Sequence, residues 1–331
     1  MITKFFEGLG GELGKRWAAA LIGPASLLVA LGFGAWAMGR EAGFYDVKTY
    51  LADRNDVEMV ALAVSALAAV ILLRQAVLLV EPFVARLLQG AWPFDGGPVG
   101  VRRAERWHRR RDEARAALIE SLGSPSATRH EAREYARAMQ RLREIPLDDT
   151  ELRPTAAGNI LRAAELRPVA QYGLDTAVCW PRLWVCLPEH LRKELRDAHA
   201  AMTAASTAFT WLLFSSLLVV WAVRVWSGCF AVAAAALLVG LLWAYRRYLG
   251  AIRVFVSLID TAFDLYRKEL YDALRWPRPA TSTAELEVGP RVTQYLWGGL
   301  VVPDQRWTQL EGVEATPELT AGVEPPAGET G

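Results

Sequence analysis

The chain has 331 residues, 53% of them hydrophobic, and a formal charge of +1. A balance so near neutral excludes the global field that would select nucleic acid or acidic substrates. The apolar residues are gathered into long blocks, which is the pattern of a polytopic membrane protein rather than of a soluble core.

Residues 1–16 read as a cytoplasmic N-terminus, because Lys4, Glu7, Glu12, Lys15 and Arg16 leave no short apolar core for a cleavable signal. A first transmembrane hairpin occupies 17–93, with spans at about 17–38 and 57–80. Pro24 is expected to kink the inner turn of the first span, and Ala30 and Gly34 make a small-residue face suited to close helix packing. The second span is apolar without interruption from Met59 to Leu73, and then Arg74 and Glu81 appear seven residues apart, on nearly one helix face. Intramembrane charge is costly. These two side chains either snorkel to the inner surface or form a polar site or constriction.

Residues 94–204 are too polar for lipid and are read as a cytoplasmic helical domain. Two helical stretches, about 101–122 and 126–144, are separated by Gly123-Ser124-Pro125. From Val101 to Pro146 there are twelve Arg against seven acids. Arg102, Arg103, Arg106, Arg109 and Arg110 are accordingly candidate contacts for anionic lipid headgroups, which attract juxtamembrane basic residues by about 1 kcal/mol each. A solvated helix face and a specific anionic ligand are the other readings of the same charge.

The segment Leu152–Leu187 follows. It reads Leu152-Arg153-Pro154-Thr155-Ala156-Ala157-Gly158-Asn159-Ile160-Leu161-Arg162-Ala163-Ala164-Glu165, then Tyr172-Gly173-Leu174-Asp175 and Trp180-Pro181-Arg182-Leu183-Trp184. It resembles a motif, LPTxLGNxLRAAE…RYGLD…WPRLW, of a family of bacterial, actinobacterial-type multi-pass membrane proteins. The resemblance covers about a tenth of the chain, and Arg153, Ala156 and Gln171 depart from the pattern. It implies a multi-pass membrane protein and carries no activity with it. From the residues themselves, Thr155 caps a short helix ending near Glu165 and closed by Arg167-Pro168. Asp175 caps the next turn, and Pro181 suits the first turn of another helix. Trp180 and Trp184 share a face. Asn159, Arg162, Glu165, Asp175 and Arg182 are the candidate polar network of this region.

From Pro188 onward one helix is expected to run through Val225, carrying the cytoplasmic part into the third span. The second transmembrane hairpin occupies 205–245, turning at Trp226-Ser227-Gly228-Cys229. Thr203, Thr207 and Thr210 place hydroxyls along its inner half, where they bond to neighbouring helices or line a wet path. An amphipathic cytoplasmic helix follows over 246–279, with apolar residues at three- and four-residue intervals. In the tail, 280–331, one short hairpin is expected around Glu287–Trp297, and the acidic, Pro- and Gly-rich end has the composition of disorder. Basic residues flank the inner ends of all four spans, so both termini are placed in the cytoplasm and the protein in the cell inner membrane.

No catalytic, cofactor or metal residue is nominated. His108, His130, His190 and His199 lack metal-ligand spacing, and HExxH, P-loop, Rossmann and GxSxG signatures are missing from the sequence. Asp148-Asp149 reads as a turn. Cys179, Cys186 and Cys229 make neither a CxxC pair nor a disulfide framework. The expected fold is therefore all-α, with four spans and a helical cytoplasmic domain, in contact with the bilayer and its anionic lipids. The leading functional reading is a homo-oligomeric assembly that conducts ions or perturbs the bilayer under control of the cytoplasmic domain. The alternative is a membrane-anchored scaffold or sensor recruiting a cytoplasmic protein, and a third is an enzyme acting on lipid-linked substrate. Nucleic acid is not an expected partner.

Overall fold

A computed structural model describes residues 23–38, 49, 55–92, 98–122, 129–222 and 230–298. Every described element is helical, so the all-α class is established. We number the helices α1 (Pro24–Met38), α2 (Asp56–Leu88), α3 (Pro98–Leu122), α4 (Arg129–Arg143), α5 (Ala156–Tyr172), α6 (Thr176–Cys186), α7 (Glu189–Ala222), α8 (Phe230–Ala273) and α9 (Ser282–Gly298), with a 3-10 turn at Asp149–Glu151. The chain divides into two compact units, Met1–Leu166 with Glu189–Asp260, and Arg167–Pro188 with Thr261–Gly331.

In the first unit, α1, α2 and α7 pack together, and α3 and α4 form a helical hairpin. Helix α2 begins where the Asn55 carboxamide accepts the Glu58 amide at 3.4 Å, with Asp56 and Glu58 favourably placed at the positive helix end. It ends in a Schellman motif. Gly90, at φ +81°, donates to Leu87, and Ala91 donates to Arg86. Along α2 only Val70, Val77 and Val84 are buried, a stripe seven residues in period, while Leu72 and Leu79 are 69% and 79% exposed. Among the described residues two helices are long and apolar enough to cross a membrane, α2 and the Glu189–Leu217 part of α7. Helix α2 leaves almost its whole apolar surface bare, the kind of patch that marks a membrane or protein contact.

Helix α7 antiparallels α8. Leu212 lies over Gly240, and Ala205 joins Tyr248, Ile252 and Val256 in a buried cluster completed by Ala157, Ile160 and Ala164 of α5. This cluster is the core of the unit. Helix α8 runs from Phe230 to Ala273 without a break, as the apolar segment and the amphipathic pattern after it predict.

The second unit is built around Leu174, Cys179, Leu183, Leu270, Tyr271 and Val292, all at most 1% exposed. Asp175 caps α6 by accepting the Val178 amide at 3.2 Å, and α6 packs on α9. Trp180 stacks on Phe263 at 6.0 Å and meets Trp184 at 5.9 Å, so the expected tryptophan face exists.

Three local expectations need correction. Helix α5 does not close at Arg167-Pro168. It passes through Pro168 to Tyr172 and stops where Gly173, at φ +70°, supplies the left-handed residue. Pro181 begins no new helix but lies inside α6, where Trp180, Leu183 and Trp184 pack tightly enough to tolerate one missing amide. The hairpin around Glu287–Trp297 is instead helix α9. Its buried residues Glu285, Gly289 and Val292 recur at helical spacing, and Gly289 is present because a Cβ there would sit 2.0 Å from the Tyr172 carbonyl oxygen. Pro24 is the first residue of the described α1, the position proline suits best, and the turn it was expected to kink, residues 17–22, lies outside the described residues. The tail beyond residue 298 and the turn at 226–229 also lie outside them.

Candidate functional site: an arginine-lined cavity at the start of α5

The local fold around the resembling motif explains its composition. Thr155 caps α5, its hydroxyl accepting the Gly158 amide at 3.1 Å. The fully buried Asn159 turns back on Arg153. Its Oδ1 accepts the Arg153 amide at 2.7 Å, and its Nδ2 donates to the Arg153 carbonyl at 3.0 Å, so one side chain closes the loop as a paired strand would. Gly158 permits a close approach of backbones, since a Cβ there would lie 2.1 Å from the Gln89 carbonyl oxygen at the end of α2. Gln89 in turn donates its side-chain amide to the Tyr248 hydroxyl at 3.1 Å. The motif is thus a joint at which α2, α5 and α8 meet.

A second set of contacts fixes the α3–α4 hairpin. Arg111 is 4% exposed, donates to the Leu147 carbonyl at 2.9 Å and pairs with Asp149, which also meets His108 Nδ1 at 3.1 Å. The Asp148-Asp149 pair is therefore a capped turn, as its residue types indicate, and Asp148 accepts the Thr150 amide at 2.9 Å. Two ion pairs tie α4 and its end to α8. Arg253 donates to both oxygens of Glu144, at 2.7 and 3.1 Å, and Arg143 reaches Asp260 at 3.1 Å. The Glu144 carboxylate raises the Arg253 pKa above its ordinary value, so this guanidinium is charged at every accessible pH.

Between these helices lies a cavity of about 550 Å³ lined by Trp107, Arg110, Glu113, Arg141, Glu144, Arg253 and an apolar wall of Ile145, Ile160 and Leu249, with Ala156 at the start of α5. Arg110 lies over the Trp107 ring at 4.9 Å. The Thr155 hydroxyl already engages the Gly158 amide at the start of α5. The helix end adds to the cavity its positive potential, about half an elementary charge. The lining offers guanidiniums and carboxylates but no thiol, hydroxyl or imidazole. Its chemistry is that of holding an anion. Among the described residues no group of three His, Cys, Asp or Glu side chains could hold a metal ion.

The sequence-nominated residues distribute as follows. Arg102, Arg106 and Arg109 are exposed on α3, Arg103 lies over Trp92 at 4.9 Å, and Arg110 enters the cavity. Arg162 pairs with Glu165 at 2.6 Å and with Glu151 at 2.6 Å, which lowers the Glu151 pKa. Asn159 bonds elsewhere, as described, and Asp175 and Arg182 belong to the other unit, where Asp175 caps α6 and Arg182 donates to Val178 O at 2.9 Å. Arg74 is exposed on α2 and Glu81 half-buried. Thr203, Thr207 and Thr210 donate to the carbonyls four residues earlier, at 3.1, 2.9 and 3.0 Å, and Thr210 is fully buried within the chain. Sequence reasoning missed Arg141, Glu144 and Arg253 as members of one site. Glu144 and Arg253 lie 109 positions apart, and nothing local in either stretch signals the pairing. The chain matches no protein-family model, no curated protein and no solved structure.

Proposed function

We propose that the chain is a four-span inner-membrane protein with both termini in the cytoplasm, whose cytoplasmic helices sense a cytoplasmic or membrane-surface condition and pass it to the spans. One observation carries this reading. Helix α8 is a single rod of 44 residues, about 66 Å long, that joins the apolar segment from Phe230 to Tyr245 to the polar contacts at Arg253 and Asp260. A displacement of α4 against α8 is therefore a displacement of the fourth span. Encoded spin labels at Ser65 in α2 and Val239 in α8, read by pulsed electron resonance in nanodiscs, test the coupling. Glu144→Lys, which sets like charges against each other at Arg253, is expected to shift or broaden the distance distribution. An unchanged distribution would remove the sensing function.

A second reading, that copies of the chain share an ion pathway, is supported by the exposed Arg74 among the bare apolar residues Leu72, Leu78 and Leu79 of α2. A charge on an apolar surface at that depth calls for a headgroup or a neighbouring copy. A nanodisc particle whose mass gives about four or more subunits, which suits a shared central pathway built by closed symmetry, with currents altered by Thr207→Trp or Arg74→Ala, would support it. A stable monomer would sink it.

A further inference from the structure

We infer that the cavity between α3, α4, α5 and α8 is a binding site for a phosphate ester that carries an apolar or planar portion. Three guanidiniums, from Arg110, Arg141 and Arg253, converge from three different helices on one space. Guanidinium groups match phosphate oxygens in charge and in fork geometry better than any other side chain. Glu144 and Arg253 hold each other in a two-bond ion pair and cancel within the wall, so Arg110 and Arg141 face the single carboxylate of Glu113 and the lining keeps a net positive charge. The potential at the end of α5 adds to the same sign. The lining also includes Ile145, Ile160 and Leu249, which suit an uncharged part of the ligand rather than a bare inorganic ion. The volume of about 550 Å³ falls within the range of small-molecule sites.

The same chemistry is available from two sources. Arg253 stands eight residues beyond Tyr245, about 12 Å along α8 from the end of the apolar segment. That is within reach of an anionic phospholipid headgroup, and the cavity would equally admit a soluble nucleotide. Only the consequence of binding, not binding itself, rests on the sensing function proposed above.

The test uses the full chain in phosphatidylcholine nanodiscs, with and without phosphatidylglycerol. Retained phosphatidylglycerol is counted by native mass spectrometry, and ATP is titrated calorimetrically into the phosphatidylcholine particles. Saturable retention of phosphatidylglycerol identifies the lipid source, and saturable ATP binding the soluble one. In either case Arg110→Gln and Arg141→Gln are each expected to weaken binding about tenfold or more, the worth of a lost charged hydrogen bond. Arg133→Gln, at an exposed position of α4 outside the cavity, is expected to leave it unchanged. The inference is overturned if neither probe binds, if binding survives both cavity substitutions, or if Arg133→Gln weakens it equally. Binding that obeys these substitutions but leaves the Ser65–Val239 distance unmoved would keep the site and remove the sensing function.

Discussion

Helices α2 and α5 meet at Gly158, yet they solve opposite problems. Helix α2 is apolar nearly all round and buries only Val70, Val77 and Val84. Helix α5 is a mixture of small, polar and charged residues, and buries Ala157, Ile160, Ala163, Ala164 and Asn159. Between these two helices hydropathy therefore runs against burial. The membrane setting proposed above accounts for the difference. A helix facing hydrocarbon gains nothing by hiding leucine, since lipid is as apolar as the protein interior. A helix in a polar environment must bury what apolar surface it has, and small residues let it do so by bringing backbones into contact. The core of the first unit consequently joins the small residues of α5 to the large side chains Tyr248 and Ile252 of α8.

The sharpest way to break this comparison is to add one methyl group at the contact. Gly158→Ala would place a Cβ 2.1 Å from the Gln89 carbonyl oxygen and 2.8 Å from the Arg153 Cβ, neither of which is the far end of a flexible side chain. Overpacking against backbone is expected to cost about 3 kcal/mol or more. The readout is the fraction of detergent-solubilised protein that survives heating and still elutes as a folded particle. Gly250→Ala in α8 is the control, because nothing lies within 4 Å of its Cβ position. There the ordinary helix preference for alanine is expected to stabilise by about 0.5–1 kcal/mol. Equal losses from both substitutions would mean that the joint at Gly158 is not the feature that matters.

Much of this architecture was legible in the sequence, and the reasons are specific. Helices α2, α7 and α8 announce themselves because long apolar or periodic runs carry no competing signal. The caps at Thr155 and Asp175 are legible because one side chain and one amide decide them locally. Pro168 and Pro181 mislead for a common reason. Pro168 reads as the close of one helix and Pro181 as the first turn of another, whereas each sits inside a helix whose neighbours pack closely enough to outweigh one lost amide bond. The glycine of Gly289-Pro290, taken with β-branched neighbours, mimics a hairpin turn. Its true constraint is the Tyr172 carbonyl, which lies more than a hundred residues away. The cavity was half legible. The arginine excess of α3 pointed to anions, but which arginine turns inward depends on Glu144, Arg253 and the register of α4, and long-range pairing of that kind leaves no mark on composition.

A smaller and more diagnostic pair of substitutions separates lipid from protein as the partner of α2. Ile160→Ala removes a side chain that is 3% exposed, in the cluster formed with Tyr248 and Ile252. Its expected cost is about 2–5 kcal/mol, the usual range for emptying a packed site. Leu72→Ala removes a side chain of similar size and equal hydropathy that is 69% exposed. If hydrocarbon covers it, the hole refills with acyl chain, and the loss should stay below about 0.5 kcal/mol, as for surface positions generally. The two variants are compared by unfolding in a mixed-micelle titration with sodium dodecyl sulfate. Should Leu72→Ala cost as much as Ile160→Ala, the bare face of α2 is not facing lipid, because no solvent would penalise the truncation so heavily. The cover would then have to be another copy of the chain.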